Sequence, residues 1–397
     1  MAPLKRCFVV VAVLEILMLV LRVSSQGMTH SQIARVHALL NIQTTSLLRA
    51  RCAPPSIFGF AKTAIAVQNT TREPSWWKPT LPYDVLFSAS YVSLSKYAHL
   101  VAFIFAAICF EKCILLFLPN CRHPVLASQS FHTFAALILA LALTFFGVAV
   151  AKRSPTVKVV DVFIDNLPPE LDGFSIVQLT DIHIGPTVGK QRIEKIVTLT
   201  NSLNPHAITI VGDLVDGFTE HIGHQVLPLS RLKSRFGVFY VTGNHEYYHG
   251  DVNEWIDLFR KRANLTVLRN EARVLTSGHR SLCIAGVDDL YTEKLSIGGH
   301  KMDAVKALNG CPDGAVNILL VHQPNAATRI IARVKKHIDL ILSGHTHGGQ
   351  MYIFWPFAYL RNDYLHGLYS EKVSGMQICM HDLCEIVHLK LHQKPDN

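Results

Sequence analysis

Charged residues are scarce in this sequence. Asp, Glu, Lys and Arg make up 17% of the 397 residues, whereas hydrophobic residues make up 49%. This balance is apolar for a wholly soluble protein and directs attention to membrane-spanning segments. The net charge is +9, but the positive residues are scattered rather than gathered into a basic stripe interleaved with aromatic residues. We therefore expect no nucleic-acid partner.

Cysteine pairs of the CxxC type are also missing. None of the nine cysteines has the spacing of a zinc ribbon, which argues against that kind of structural metal site. Cys379 and Cys384 lie five residues apart and either bridge a hairpin or remain free thiols. The sequence has no internal repeat and no low-complexity tract.

One long hydrophobic run has no charge at all. Residues 131–151 have the length of about 20 residues needed to cross the hydrocarbon core of a bilayer. Lys152 and Arg153 follow at once, as at a membrane interface. The sequence therefore predicts a membrane-spanning helix here, with membrane lipid as a partner.

Two further apolar runs precede this helix. The run 98–118 is interrupted by Glu111 and Lys112, a pair that is costly in a bilayer unless it faces the interior of a helical bundle. With 131–151 it predicts a helical hairpin and a multi-pass protein. The run 7–21 follows two basic residues and is either a cleaved signal peptide or a short signal anchor.

The sequence changes character near residue 155. Val- and Ile-rich runs then alternate with amphipathic stretches, a pattern that predicts an α/β domain. We divide the chain into a membrane module, 1–154, and a second domain, 155–397. Helices are predicted over 189–203, 251–263 and 325–336, and strands over Val157–Ile164, Phe174–Leu179, Ala207–Val211, Gly237–Val241, Leu282–Gly286, Asn317–Val321 and Ile338–Leu342.

Polar clusters follow five of these predicted strands. In α/β domains the loops at the carboxyl ends of strands meet at the ligand crevice, so we expect the clusters to converge. The clusters contain Asp181 and His183, then Asp213, then Asn244 and His245, then His322, and finally His345 and His347.

The residue types in these clusters suit a pair of divalent metals. Such a pair needs carboxylate and imidazole ligands, and one carboxylate able to bridge. The Asp181-x-His183 and His345-x-His347 steps predict that both side chains of each pair lie on one side of an extended strand end. The clusters hold no cysteine, which disfavours structural zinc and favours an open catalytic site.

The motifs DIH, GDLVDG, GNHEYY, VHQP and GHTHGGQ, in this order, resemble those of the calcineurin-like metallophosphoesterase superfamily, and in particular its membrane-linked branch. The resemblance implies a fold of two packed mixed β-sheets flanked by helices. It also implies that His245 stays off the metals and faces the phosphate. The metal ligands implied are Asp181, His183 and His347 for one metal, Asn244, His322 and His345 for the other, and Asp213 for both.

The function implied is hydrolysis of a phosphate ester by a metal-activated hydroxide at a binuclear centre. His245 would either protonate the leaving oxygen or stabilise the charged transition state. The mixed N and O ligands suit manganese, iron or zinc. A membrane tether suggests a lipid-linked substrate, although a soluble one is equally compatible. The segment 370–383 is shorter than the corresponding segment in the membrane-linked branch that this sequence resembles. This supports an alternative: a catalytically weak metal-binding scaffold that recruits partners to the membrane.

Sequence signals disagree about the side of the membrane on which the second domain lies. Lys152 and Arg153 after the span favour the cytoplasm by the positive-inside rule. Basic residues before 7–21, followed by a hairpin, place the domain outside. The glycosylation sequons that begin at Asn69 and Asn264 would then share that side. We favour the extracytoplasmic side.

Overall fold

The computed structural model describes residues 99–100, 102–111, 113–114, 128–185, 187–295, 297–349, 355–371, 376–380 and 385–395. The chain divides after Arg153 into two units, and each is described by itself.

The described part of the first unit centres on helix α1, Gln129–Ala151. Its N-terminus is capped by Ser128, whose Oγ accepts a hydrogen bond from the Phe131 backbone N–H at 3.3 Å. Within the described residues, α1 is the one helix long and apolar enough to cross a membrane. Within the predicted span 98–118, the described residues include an apolar helix, Ala102–Glu111. The run 7–21 and the end of the predicted span lie outside the described residues.

The second unit contains two six-stranded sheets. The first has the order β1-β12-β2-β3-β4-β5 and the second β10-β11-β9-β8-β7-β6. The strands are β1 Thr156–Ile164, β2 Ser175–Leu179, β3 Ala207–Val211, β4 Val238–Val241, β5 Thr266–Val267, β6 Glu271–Ser277, β7 Arg280–Gly286, β8 Val316–Leu320, β9 Leu340–Ser343, β10 Gly367–Glu371, β11 Met376–Met380 and β12 Glu385–Gln393.

Both sheets are mixed. In the first sheet β12 runs antiparallel to β2, while the other neighbouring strands are parallel. In the second sheet the β6–β7 and β10–β11 pairs are antiparallel and the rest are parallel. The helices are α2 Lys190–Ser202, α3 Thr219–Ile222, α4 Val252–Lys261, α5 Ala304–Asn309, α6 Asn325–Ile331 and α7 Trp355–Arg361, and longer 3-10 segments cover Gly223–Arg231 and Leu290–Lys294.

The hydrophobic core lies in three layers. The central layer packs the two sheets face to face, and each outer layer packs one sheet against helices, which confirms the predicted fold of two mixed sheets flanked by helices. The central strands are therefore buried on both faces, which explains their continuous Val and Ile runs. Residues that meet between the sheets include Ile176, Val211 and Val241 from the first, and Ile284, Ile318 and Leu340 from the second.

The seven predicted strands all form, and their ends fall within two residues of those predicted. The third predicted helix, 325–336, ends early at Ile331, and turn residues follow before β9 begins at Leu340. Strands β5, β6, β10, β11 and β12 were not predicted. Residues 372–375 and 381–384 lie outside the described residues.

A disulfide joins Cys283 of β7 to Cys311, which follows α5; the two cysteines are 28 residues apart and both are buried. This pair is not among the predictions made from the sequence. The predicted choice between a bridge and free thiols at Cys379 and Cys384 stays a prediction, because Cys384 lies outside the described residues.

Candidate metal centre

The predicted site residues gather where the carboxyl ends of the central strands meet. The first sheet supplies Asp181 and His183 after β2, Asp213 after β3, and Asn244 with His245 after β4. The second sheet supplies His322 after β8, and His345 with His347 after β9. Seven of the eight residues are Asp or His, and all seven belong to groups of neighbouring side chains that could hold a metal ion. The eighth, Asn244, is buried.

One group of possible ligands combines Asp181, His183, Asp213 and His347, whose ligand atoms all lie within 4.8 Å of one another. His347 Nε2 is 3.2 Å from Asp181 Oδ1 and 3.2 Å from His183 Nε2. His183 Nε2 is 3.9 Å from Asp213 Oδ2. Four donors of this type at this spacing can surround a divalent cation.

A second group combines Asp213, His322 and His345, also with ligand atoms within 4.8 Å of one another. His322 Nε2 is 3.1 Å from Asp213 Oδ2. The Asp213 carboxylate therefore belongs to both groups. Asn244 is buried nearby, and its amide Nδ2 donates to Tyr248 Oη at 2.6 Å, which orients the amide group.

The backbone at these residues differs from the prediction. Asp181, His183, Asp213, His345 and His347 all have positive φ angles, between 47° and 74°, so the expectation of extended strand ends was wrong. The side chains converge because the loops turn through the left-handed region, which costs a residue with a Cβ roughly 1–2 kcal/mol. Such strain persists at sites where the surrounding structure holds it in place.

Hydrogen bonds from Glu246 hold one of these loops. Its buried carboxylate accepts the backbone N–H groups of Asp213, Leu214, Val215 and Gly243 at 2.6–3.1 Å. Burial and the adjacent Asp213 raise the pKa of Glu246 to about 7. Glu246 therefore supports the loop that presents Asp213 rather than serving as a ligand itself.

Two glycines allow the loops to pass close to the carboxylates. A Cβ at Gly344 would overlap Asp181 Oδ2, and a Cβ at Gly243 would overlap Asp213 Oδ1. A side chain at either position would force the loops apart. These glycines thus act through close approach, whereas Gly212, at φ +78°, also supplies a left-handed turn.

Electrostatics separate the histidines into two kinds. Burial, followed by the adjacent His245, lowers the pKa of His183 to about 4, and burial with the adjacent His322 lowers the pKa of His345 to about 3. These two imidazoles are neutral, as metal ligation requires. Burial also acts against the charge of His322, but Asp213 and Asp181 outweigh it and raise its pKa.

His245 differs from the possible ligands. Its Nδ1 lies 3.2 Å from Asp216 Oδ1, its Nε2 lies 3.8 Å from Asp213 Oδ2, and its backbone N–H donates to Asp213 Oδ1 at 2.8 Å. Burial opposes protonation, but Asp213 and Asp216 outweigh it and raise the pKa of His245 to about 9. A raised pKa keeps the imidazole of His245 protonated near neutral pH, in contrast to His183 and His345.

Asp216 is not among the predicted site residues. The structure places its carboxylate against His245 and 3.8 Å from His249 Nε2. The signal that could have found it was the second Asp of the GDLVDG motif, three residues after Asp213.

The orientation of the buried ligand atoms fits a metal centre. His322 Nδ1 donates to the Val211 carbonyl at 2.8 Å, so the neutral ring presents Nε2 as an acceptor towards the Asp213 carboxylate. Two acceptors that face each other need a shared cation or proton, and a backbone carbonyl on the far ring nitrogen is the usual support of a metal-binding imidazole. Within the described residues, several buried atoms have no hydrogen-bond partner, among them Asn244 Oδ1, His322 Nε2 and His345 Nδ1.

Comparison with known proteins agrees with this arrangement. The profile of calcineurin-like phosphoesterases matches residues 174–349, a range that includes every residue of the candidate site. F40B5.2 of Caenorhabditis elegans, classed by name with the metallophosphoesterases, is 38% identical over 330 residues, covering 78% of this chain and 68% of its own length. This chain belongs to the calcineurin-like phosphoesterase family.

Two vertebrate members of the family bear the name "Transmembrane protein with metallophosphoesterase domain". The Danio rerio protein is 38% identical, with 70% of this chain and 65% of its own length aligned. The Bos taurus protein is 42% identical, with 59% of this chain and 54% of its own length aligned. The chain thus spans about half to two thirds of the length of the relatives that it matches.

Proposed function

We propose that this domain hydrolyses phosphate esters at a centre of two divalent metal ions. The observation that carries the proposal is the shared carboxylate of Asp213, which lies in both groups of ligand atoms. Family membership supports a metal-dependent phosphoesterase in general. The shared position of Asp213 supports the finer proposal that the centre is binuclear.

Each metal would have its own set of ligands beside the shared Asp213. Asp181, His183 and His347 would hold one, and Asn244, His322 and His345 the other. Bound metals would polarise the phosphoryl oxygens and supply a nucleophile by lowering the pKa of water. The donors are a mixture of nitrogen and oxygen, which suits manganese, iron or zinc.

His245 would protonate the leaving oxygen. Asp216 holds the imidazole through Nδ1 at 3.2 Å, which turns Nε2 towards the centre. The ring packs 4.6 Å from the ring of Tyr248, which limits its rotation. A fixed imidazole with a carboxylate behind it is the arrangement expected of a general acid, and a scaffold that only binds metal has no need of it.

We further propose that α1 anchors the domain to a membrane. Its residues Phe131–Ala151 have the length and apolar composition of a span, and only a small part of their surface is buried within the structure. The names of the vertebrate relatives agree. A tether favours a phosphate ester at the bilayer, and parallel assays with a lipid phosphodiester in vesicles and a soluble aryl phosphate would compare the two substrate classes.

The proposed activity is tested by His345→Ala. We expect turnover of an aryl phosphate by the manganese-loaded protein to fall by about a hundredfold or more, since the loss of a metal ligand removes several kcal/mol of transition-state stabilisation. Metal content per chain should fall in the same variant, while circular dichroism remains that of the folded protein.

The matched control is His279→Ala, at an exposed position between β6 and β7. It should leave both turnover and metal content unchanged. Undiminished turnover in His345→Ala would overturn the assignment. Full metal content without turnover of any phosphomonoester or phosphodiester in the unmutated protein would instead favour a metal-binding scaffold.

A further inference from the structure

We propose that the phosphoesterase domain lies on the extracytoplasmic side of the membrane and carries an N-linked glycan on Asn264. Two features of the domain lead to this assignment, and neither includes a residue of the candidate metal centre. One is the disulfide between Cys283 and Cys311, and the other is the exposed sequon that begins at Asn264.

The disulfide lies inside the domain. Cys283 and Cys311 are both buried, and they pack in the outer layer between the second sheet and helices α5 and α6. Their Cα atoms are 5.6 Å apart, a separation at which two cysteines bridge without movement of the backbone. Stable disulfides form in the secretory pathway and outside the cell, whereas the reducing cytosol keeps such pairs as thiols.

The sequon Asn264-Leu265-Thr266 has a non-proline middle residue, as the acceptor motif requires. Asn264 is exposed and lies in the loop between α4 and β5, at φ 56°. Within the part of the chain that the structure describes, no hydrogen bond holds its side-chain amide. Ala263 and Leu265 on either side are buried, so Asn264 is the residue of the sequon that is most exposed to solvent.

The sequon and the candidate metal centre lie at opposite ends of the strands of the first sheet. Strand β5 pairs in parallel with β4, and the site residues Asn244 and His245 follow the carboxyl end of β4. Asn264 precedes the amino end of β5. A glycan there would extend into solvent and leave the mouth of the site open, so glycosylation and catalysis are compatible.

Lys152 and Arg153 point the other way by the positive-inside rule. That rule counts basic residues over all the loops of a membrane protein, and a span early in the chain often dominates the orientation. A buried disulfide reports on the compartment in which the folded domain resides. We therefore give it more weight than two basic residues.

The test is N-glycosidase digestion of the full chain, expressed in animal cells with a C-terminal tag. In an Asn69→Gln background, which removes the other sequon, digestion should increase the electrophoretic mobility of the protein. Adding Thr266→Ala or Asn264→Gln should abolish that change. Thr266→Ser is the matched control, because it keeps a valid sequon and should keep the change.

A second measurement examines the cysteines directly. Thiols are alkylated under denaturing conditions without reductant, and peptide masses are then read. Cys283 and Cys311 should escape alkylation unless the protein is first reduced. Asn69→Gln protein that shows no glycosidase-sensitive change would overturn the assignment of Asn264, and free alkylation of both cysteines would overturn the assignment of the compartment.

Discussion

The two sheets of the domain have the same number of strands but contribute different chemistry. The first sheet supplies the two carboxylates of the groups that share Asp213, which are Asp181 and Asp213, together with His183, Asn244 and His245. The second supplies imidazoles alone, from His322 and the loop after β9. Neither of the two groups that contain Asp213 comes from one sheet alone. The candidate centre around Asp213 therefore depends on the packing of the two sheets.

Contacts at the site also join the sheets. The backbone N–H of His345 donates to both Asp181 oxygens, at 3.0 and 2.9 Å. The Gln178 side-chain amide donates to the Ser343 carbonyl at 2.8 Å. A Cβ at Gly212 would lie 2.6 Å from His322 Nδ1. The comparison shows that the register between the sheets, as much as each ligand, determines whether the site forms.

The largest effect should come from Asp213→Asn, which removes the carboxylate shared by the ligands of both sheets. We expect turnover to fall by ~10³-fold, equivalent to about 4 kcal/mol of transition-state stabilisation. Metal content, measured by mass spectrometry, should fall as well. The control is Asp257→Asn on the exposed side of α4, where Asp257 pairs with Lys261. Retention of all metal and activity in Asp213→Asn would show that the two groups do not share a ligand.

A smaller effect should follow from Asp216→Asn, which alters only the contribution of the first sheet. The imidazole of His245 would lose the carboxylate that orients it, and we expect kcat to fall by about 10–100-fold with metal content unchanged. The decrease in kcat should be greater for an alkyl phosphate than for an aryl phosphate. An acidic aryl alcohol leaves as its anion and does not need a proton from His245. Equal deficits for both substrates would contradict the general-acid role.

The smallest effect should come from Gln178→Met, which removes one hydrogen bond between the sheets and none of the proposed ligands. We expect the free energy of unfolding to decrease by about 1 kcal/mol, measured by urea unfolding of the detergent-solubilised protein, with turnover largely retained. Gln191→Met, at an exposed position of α2, is the control. No loss of stability would show that this contact contributes little to the packing of the sheets.

Some features were missed because their sequence signals are weak. Strand β5 has two residues, and β6 has one fully buried residue among seven, so neither has a clear hydrophobic period. Strand β12 lies between β1 and β2 in the sheet. Both of those strands come from the beginning of the domain, far from β12 along the sequence. Helix α6 was predicted too long because amphipathic spacing continues beyond Ile331, where the chain already turns.

The sequence by itself determined the chemistry available to the protein. Buried Val and Ile runs predicted the central strands, because burial on both faces requires apolar residues throughout. The motifs that follow those runs supplied the carboxylates and imidazoles, and the uncharged run 131–151 supplied a helix long enough to cross a membrane. Each of these signals is local, so each can be read from neighbouring residues.

The tertiary structure decided how those residues meet. It placed Asp213 in two ligand groups, turned five site residues through left-handed backbone rather than extended strand, and set Asp216 behind His245. It also paired Cys283 with Cys311 across 28 residues. These outcomes depend on the packing of one sheet on the other and on close approach at glycines, which are contacts between distant parts of the chain that local spacing does not encode.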